Sequence, residues 1–118
     1  MEIVQTLSKS HMEGTIEYAY QYNLIRNTIE IEVCGKNIEV QGYGIKAIRT
    51  HSNSEGVVFQ EEDLVKIISP QRHKVQSLLK LLWDNVVSPV HLIDVLGEYI
   101  DEFIGDFDQV DLENVATN

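Results

Sequence analysis

IEYAYQYNLIRNTIEIEVCGKNIEVQGYGIKAIR, residues 16–49, carries the alternation that decides the fold. Ile16, Tyr18, Tyr20, Tyr22 and Leu24 recur at strict period two, the spacing of one face of a β-strand. Arg26-Asn27 reads as a turn, after which Ile29, Ile31 and Val33 alternate with Glu30 and Glu32. Gly35-Lys36 then suits a tight hairpin, because glycine at the first central position supplies the positive φ of a type II′ turn. In the returning strand Ile38 and Val40 lie on one face, but Tyr43, Ile45 and Ala47 lie on the other. A bulge at Gly42 to Gly44 is expected to restore the register, since one extra residue realigns the side chains.

Outward from this hairpin the pattern weakens. Residues 2–8 alternate loosely, with Ile3 and Leu7 on one side, as a short first strand would. SKSHMEG, residues 8–14, and THSNSEG, residues 50–56, have the composition of exposed loops. VVFQ after the second loop reads as a last short strand or a lead-in to helices. EEDLVKIIS, residues 61–69, stays open between a helical turn and a buried strand. The sum is an antiparallel sheet of four or five strands, built by hairpins over about residues 1–60.

Residues 69–105, SPQRHKVQSLLKLLWDNVVSPVHLIDVLGEYIDEFIG, change period. Two helical patterns each begin with Ser-Pro, at Ser69-Pro70 and Ser88-Pro89. Serine can cap orphan amides, and proline at the first helical position loses no hydrogen bond. In the first helix Val75, Leu78, Leu79, Leu82 and Val86 form a broad apolar face flanked by Leu81 and Trp83. That width fits an element held between the sheet and a second helix, and a homodimer interface would give the same pattern. In the second helix Ile93, Leu96, Ile100, Phe103 and Ile104 are expected to form the buried stripe, joined by Leu92 and Tyr99. The short link Asn85 to Ser88 folds the two into an antiparallel helical hairpin. The fold class is therefore α+β, with the C-terminal two-helix hairpin packed on one face of the sheet. A chain of 118 residues fits one domain.

Tyr43-Gly44-Ile45 in a strand, the Ile68-Ser69-Pro70 helix start, the Leu-rich first helix and VSPVHLIDVLGEYI from Val87 to Ile100 resemble a family of small uncharacterised bacterial proteins. The resemblance spans roughly residues 16–104. It implies a domain without an assigned function, and so brings no catalytic residues with it.

Charge is the feature that a functional reading must explain. Through Lys80 the chain holds ten carboxylates against nine Lys and Arg; from Leu81 to Asn118 it holds nine carboxylates and no Lys or Arg. A field of that sign repels phosphate backbones, which argues against direct nucleic-acid binding through the C-terminal portion. Asp94, Glu98, Asp101 and Glu102 fall at i, i+4, i+7 and i+8, within a sector of about 100° opposite the expected buried stripe. Like charges at this spacing repel, and acids in the last turns oppose the helix dipole. The acidic tail continues with Asp106 and Asp108. The plainer reading is a solubilising face.

Other chemistry is sparse. Cys34 stands alone beside Gly35 and Lys36, without a CxxC partner or a paired His. His11 and His51 sit in the polar segments, His73 and His91 near opposite helix starts, and no HExxH, HxH or HxxxH spacing occurs. The carboxylates of DFDQVDLE lack the frame of an EF-hand. No metal and no cofactor is expected. No apolar run reaches the ~20 residues of a membrane span and no secretory leader is visible, so a cytoplasmic protein without membrane contact is expected.

These features point to a non-catalytic regulatory or interaction protein that binds a basic protein surface, with Asp94, Glu98, Asp101, Glu102, Asp106, Asp108 and His91 as the partner-binding residues. The partner on this reading includes nucleic-acid-binding proteins. The alternative is an inhibitor of the phage or mobile-element type that imitates nucleic-acid charge to block a nucleic-acid enzyme. An enzyme is the third reading; it would need folding to bring Cys34 or His91 against a carboxylate and a tyrosine.

Overall fold

A computed structural model describes residues 1–107. Four strands follow one another as hairpins: β1 (Glu2–Glu13), β2 (Ile16–Val33), β3 (Lys36–Asn53) and β4 (Gly56–Ser69), in the order β1-β2-β3-β4 with every pair antiparallel. Two helices follow, α1 (Arg72–Asp84) and α2 (Leu92–Phe103), the second entered through a 3-10 turn at Pro89–His91. The α+β class holds, with four strands and both helices on one face of the sheet. The start of α1 meets the end of α2, where Lys74 reaches Asp106 and lies over the Phe103 ring, so the helices run antiparallel.

The strands are much longer than the sequence suggests. β2 is one strand of 18 residues, with no turn at Arg26-Asn27. Arg26 pairs with Tyr43 and with the Glu2 carboxylate, while the Asn27 amide donates to the Lys66 carbonyl at 2.8 Å. Both polar side chains are thus used by neighbouring strands. The segment read as a first loop continues β1 to Glu13, and the reversal is confined to Gly14 and Thr15, with Gly14 at φ 61°. The second polar segment is likewise strand as far as Asn53, whose side chain accepts the Glu55 amide at 2.9 Å to close the turn. Residues 61–69 resolve as strand. The central hairpin turns on Cys34 and Gly35 at φ 53° and 76°, two successive positive values as in a type I′ turn, so it sits one residue earlier than expected.

No bulge interrupts the β2–β3 ladder at Gly42 to Gly44. The register shift lies on the other side, between β3 and β4: Tyr43 faces Ser69 and Ile45 faces Val65, which places the extra residues in β4. Gly44 makes this fit. A Cβ there would stand 2.0 Å from the Val65 carbonyl oxygen and 2.4 Å from that of Lys66.

The switch of apolar face in the sequence is therefore real. In the middle of the molecule Tyr20, Tyr22, Leu24, Ile45 and Ala47 pack beneath Val75, Leu78, Leu79, Leu82, Leu92 and Leu96. Tyr22 is fully buried there, and its hydroxyl donates to the Val87 carbonyl at 2.8 Å. Desolvation, with a smaller contribution from Tyr20, pushes its phenol well above the usual tyrosine range. Beyond Arg26 and Tyr43 the aliphatic residues Ile29, Ile31, Val33, Ile38 and Val40 occupy the opposite face. At 18 residues and ~3.3 Å each, β2 and β3 account for the 60 Å long axis, whereas α1 with 13 residues spans ~20 Å. The helices cover only the middle of the sheet.

Neither Ser-Pro pair caps its helix directly. The Ser69 hydroxyl accepts the Gln71 amide at 3.0 Å and donates to Asp106, while α1 begins at Arg72. The Ser88 hydroxyl accepts from Arg49 at 2.9 Å. At the far end of α1 the Trp83 indole donates to the Ser8 carbonyl at 2.8 Å, and Lys9 donates to the Trp83 carbonyl while lying 3.9 Å from the ring centroid. This clasp fixes α1 over the β1 edge.

Candidate partner-binding surface

Leu92 and Leu96 are fully buried and anchor α2 against the sheet, with Val95, Tyr99, Ile100 and Phe103 packed beside them. The rest of α2 faces outward. Asp94, Glu98, Asp101 and Glu102 are all exposed along one side. Ile93 and Ile104, expected in the buried stripe, are instead 51% and 67% exposed, and Val90 is 66% exposed. The 3-10 turn at Pro89–His91 places Leu92 rather than Ile93 at the first inward position, and the stripe follows Leu92, Leu96, Tyr99 and Phe103. At 100° per residue Ile93 and Ile104 fall on one flank of the carboxylate ridge. The outward surface of α2 is thus an acidic ridge bordered by an aliphatic strip.

His91 is exposed, with Nδ1 3.6 Å from the Asp94 carboxylate. Among the described residues no cation pairs with Glu98, Asp101 or Glu102. Asp106 turns the other way. Its carboxylate accepts from Lys74 at 2.8 and 3.0 Å and from Ser69 at 3.0 Å, and the Lys74 hydrogen bond, aided by Ser69, holds it below the usual carboxylate range. It locks the end of α2 to the start of α1. Asp108 lies outside the described residues. Cys34 is exposed on the β2–β3 turn. No group of three or more His, Cys, Asp or Glu suited to a metal ion occurs among the described residues.

A second surface was missed in the sequence. His11, Tyr18, His51 and Phe59 come one from each strand and lie directly opposite one another in the ladders. Their rings form a continuous row: His11 stacks on Tyr18 at 5.2 Å, Tyr18 meets His51 at 4.4 Å, and His51 meets Phe59 at 5.0 Å. This aromatic shelf shares the face of the helices but lies past them, at the end opposite the Cys34 turn. Arg49 borders it, paired with Glu61 at 2.5 Å and lying 6.0 Å from the Phe59 ring. His51 Nε2 is enclosed without a hydrogen-bond partner. The signal in the sequence was the continuation of period two past Leu7 to Lys9 and His11, and past Ala47 to Arg49 and His51. Serine and asparagine around those histidines gave the segments a loop composition and hid it.

The family model that matches the chain runs over residues 1–102, taking in the whole sheet, α1, His91 and the ridge of α2 to Glu102. The chain belongs to a family of unknown function, DUF6514. The matched span stops short of Asp106. No curated protein and no solved structure matches the chain. No helix among the described residues is long and apolar enough to cross a membrane.

Proposed function

We propose that this member of DUF6514 is a non-catalytic interaction protein that docks the outward face of α2 on a basic protein surface. The observation that carries this reading is the pairing of the Asp94, Glu98, Asp101 and Glu102 ridge with exposed Ile93 and Ile104 on its flank. Carboxylates alone serve solubility. An adjoining aliphatic strip gives a partner something to desolvate, and contacts of this kind supply most of the free energy of protein association while charge steers the encounter. His91 lies at the entrance of the helix, within reach of the same partner.

The test is quantitative affinity capture with the full chain, comparing wild type, the variant D94N/E98Q/D101N/E102Q, and I93A/I104A. Both variants are expected to lose at least tenfold in capture of the same partner, the first with a reduced dependence on salt. Capture retained by the acid-neutralised variant overturns the proposal. Competition separates it from imitation of nucleic-acid charge: displacement of the protein from its partner by excess duplex or single-stranded nucleic acid favours imitation, and persistence of the complex favours a protein-specific contact.

A further inference from the structure

The two outer strands of the sheet are guarded differently. β4 is bulged between Val57 and Phe59 and again between Val65 and Ser69, carries Glu61, Glu62 and Asp63 in a row, and has its Leu64 amide donated to the Asp63 carboxylate at 2.8 Å. Bulges and charges of this kind keep other strands off an edge. β1 is bulged only at Val4 and runs regularly from Gln5 to Glu13. Its reversal is two residues long, so Glu13–Ile16 is a hydrogen-bonded pair, and the odd-numbered residues turn their backbone groups to β2. Thr6, Ser8 and Ser10 therefore turn theirs outward. The Ser8 carbonyl shows this directly, since it accepts the Trp83 indole, and a carbonyl has room for a second donor.

Beside this edge Gln76, Lys80 and Trp83 of α1, at i, i+4 and i+7, form with Gln5 and Leu7 a cleft of about 370 Å³. The Gln76 amide donates to Gln5 Oε1 at 3.0 Å, from helix to strand. The surroundings hold no acid: there is no carboxylate from Ile3 to Met12, and none from Leu64 to Trp83. Among the described residues neither Lys9 nor Lys80 pairs with a carboxylate.

We infer that the β1 edge takes an extended acidic segment of a partner protein as a fifth strand, with alternate side chains of that segment in the cleft beside α1. In strand addition the main chain supplies affinity and pockets for alternate side chains supply selection. Both parts are in place here. An aliphatic side chain on the helix side of the added strand packs on Leu7 and the Trp83 ring, and a carboxylate at the next helix-side position lies toward Lys9 and Lys80. The cleft is small for an enclosed ligand, which suits a few side chains of a chain lying alongside. The outward groups of Thr6, Ser8 and Ser10 are donors and acceptors in alternation. A peptide backbone matches both, whereas a phosphate backbone offers acceptors only. A second copy is a poor occupant, because pairing through the same edge sets Lys9 and Lys80 of both copies together. The surface lies away from α2, which rests on β4 at the other side of the sheet, and the inference does not depend on the reading of the α2 ridge.

The test is selection of random peptides about as long as the regular part of β1, displayed on phage, against the immobilised full chain, followed by fluorescence anisotropy with the enriched sequences as synthetic peptides. Wild type is expected to enrich segments that mix Asp or Glu with aliphatic residues. Ser10→Pro removes an outward amide and leaves the β1–β2 bonds intact; it is expected to weaken binding at least tenfold with an unchanged far-UV spectrum. Lys80→Glu, at an exposed position of α1, is expected to do the same and carries the test if Ser10→Pro fails to fold. Methyl groups placed on the peptide nitrogens one at a time are expected to abolish binding at every second position and to be tolerated between. The inference is overturned if no peptide is enriched, or if the enriched peptides bind either variant as tightly as wild type. Enrichment of basic peptides alone, lost with D94N/E98Q/D101N/E102Q, also overturns it while supporting the reading of α2. A dimer that Ser10→Pro abolishes makes a second copy the occupant and overturns it as well.

Discussion

The middle of this molecule and the far end of its central hairpin are made of the same two strands, and they differ in what lies on them. Between Tyr20 and Leu24, and between Tyr43 and Ala47, the sheet is closed by seven or more helical apolar side chains and its central residues have no exposure. Between Ile29 and Val40 the alternation is just as regular, but the apolar residues face the other way, outside the core beneath the helices; Val40 is buried at the base, whereas Ile29, Ile31, Val33 and Ile38 are only half-buried. Regular alternation specifies a strand and its two faces. It does not specify a cover, and past the helices the same pattern is only partly covered.

Truncating side chains in the two regions should give the largest contrast. Leu79→Ala, in the fully buried layer of α1, is expected to cost about 2–5 kcal/mol of unfolding free energy in urea titration. Ile31→Ala is expected to cost less than about 1 kcal/mol, because a half-exposed residue leaves no cavity. Equal losses would mean that the hairpin end is packed as part of the body.

The junction between the regions offers a sharper probe. Gly44→Ala sets a methyl group 2.0 Å from the Val65 carbonyl oxygen, and the displaced β4 backbone is expected to lower stability by about 1–3 kcal/mol in the same titration. A neutral outcome would show that β4 can slide away from β3 without loss. Smaller still is the effect of Asp106, which ties the two helices together over the covered region. Its carboxylate is held below the ordinary value of 3.8 by Lys74. The stability it lends is therefore complete above that ordinary value and lost as pH falls through the lower folded one. Asp106→Asn is expected to remove about 1 kcal/mol at neutral pH and to flatten the acid limb of a plot of stability against pH below 4; an unchanged limb would assign the acid sensitivity elsewhere.

The same contrast explains what the sequence disclosed. Tyr18, Tyr20, Tyr22 and Leu24 announced a strand and the face that the helices would take, and the helical period located the α2 ridge irrespective of its neighbours. Arg26-Asn27 misled because a strand whose buried face changes sides must pass through residues buried on both. Leu24 and Ile25 are adjacent and both fully buried, so alternation lapses there and polar residues follow, as they would at a turn. Gly42 to Gly44 misled for the converse reason: the irregularity belonged to β4, which lies some 20 residues away in sequence. His11 and His51 were hidden because a strand past the end of its helices carries polar residues on its solvated back. The phase of α2 rested on one 3-10 turn at Pro89–His91, and the apolar arc from Leu92 to Ile93 was wide enough to fit either centre.

The order β1-β2-β3-β4 also governs how the chain assembles. Each strand meets the one just made, through a reversal of two residues, so the sheet closes by successive zippering without a crossover to wait for. Contacts this local favour rapid formation, on the order of microseconds per hairpin. The helices follow all four strands in the chain, and during synthesis the tyrosine face therefore stands finished before its cover leaves the ribosome. Trp83, bonded back to Ser8 across 75 positions, is among the contacts that close this interval and join the end of the process to its beginning.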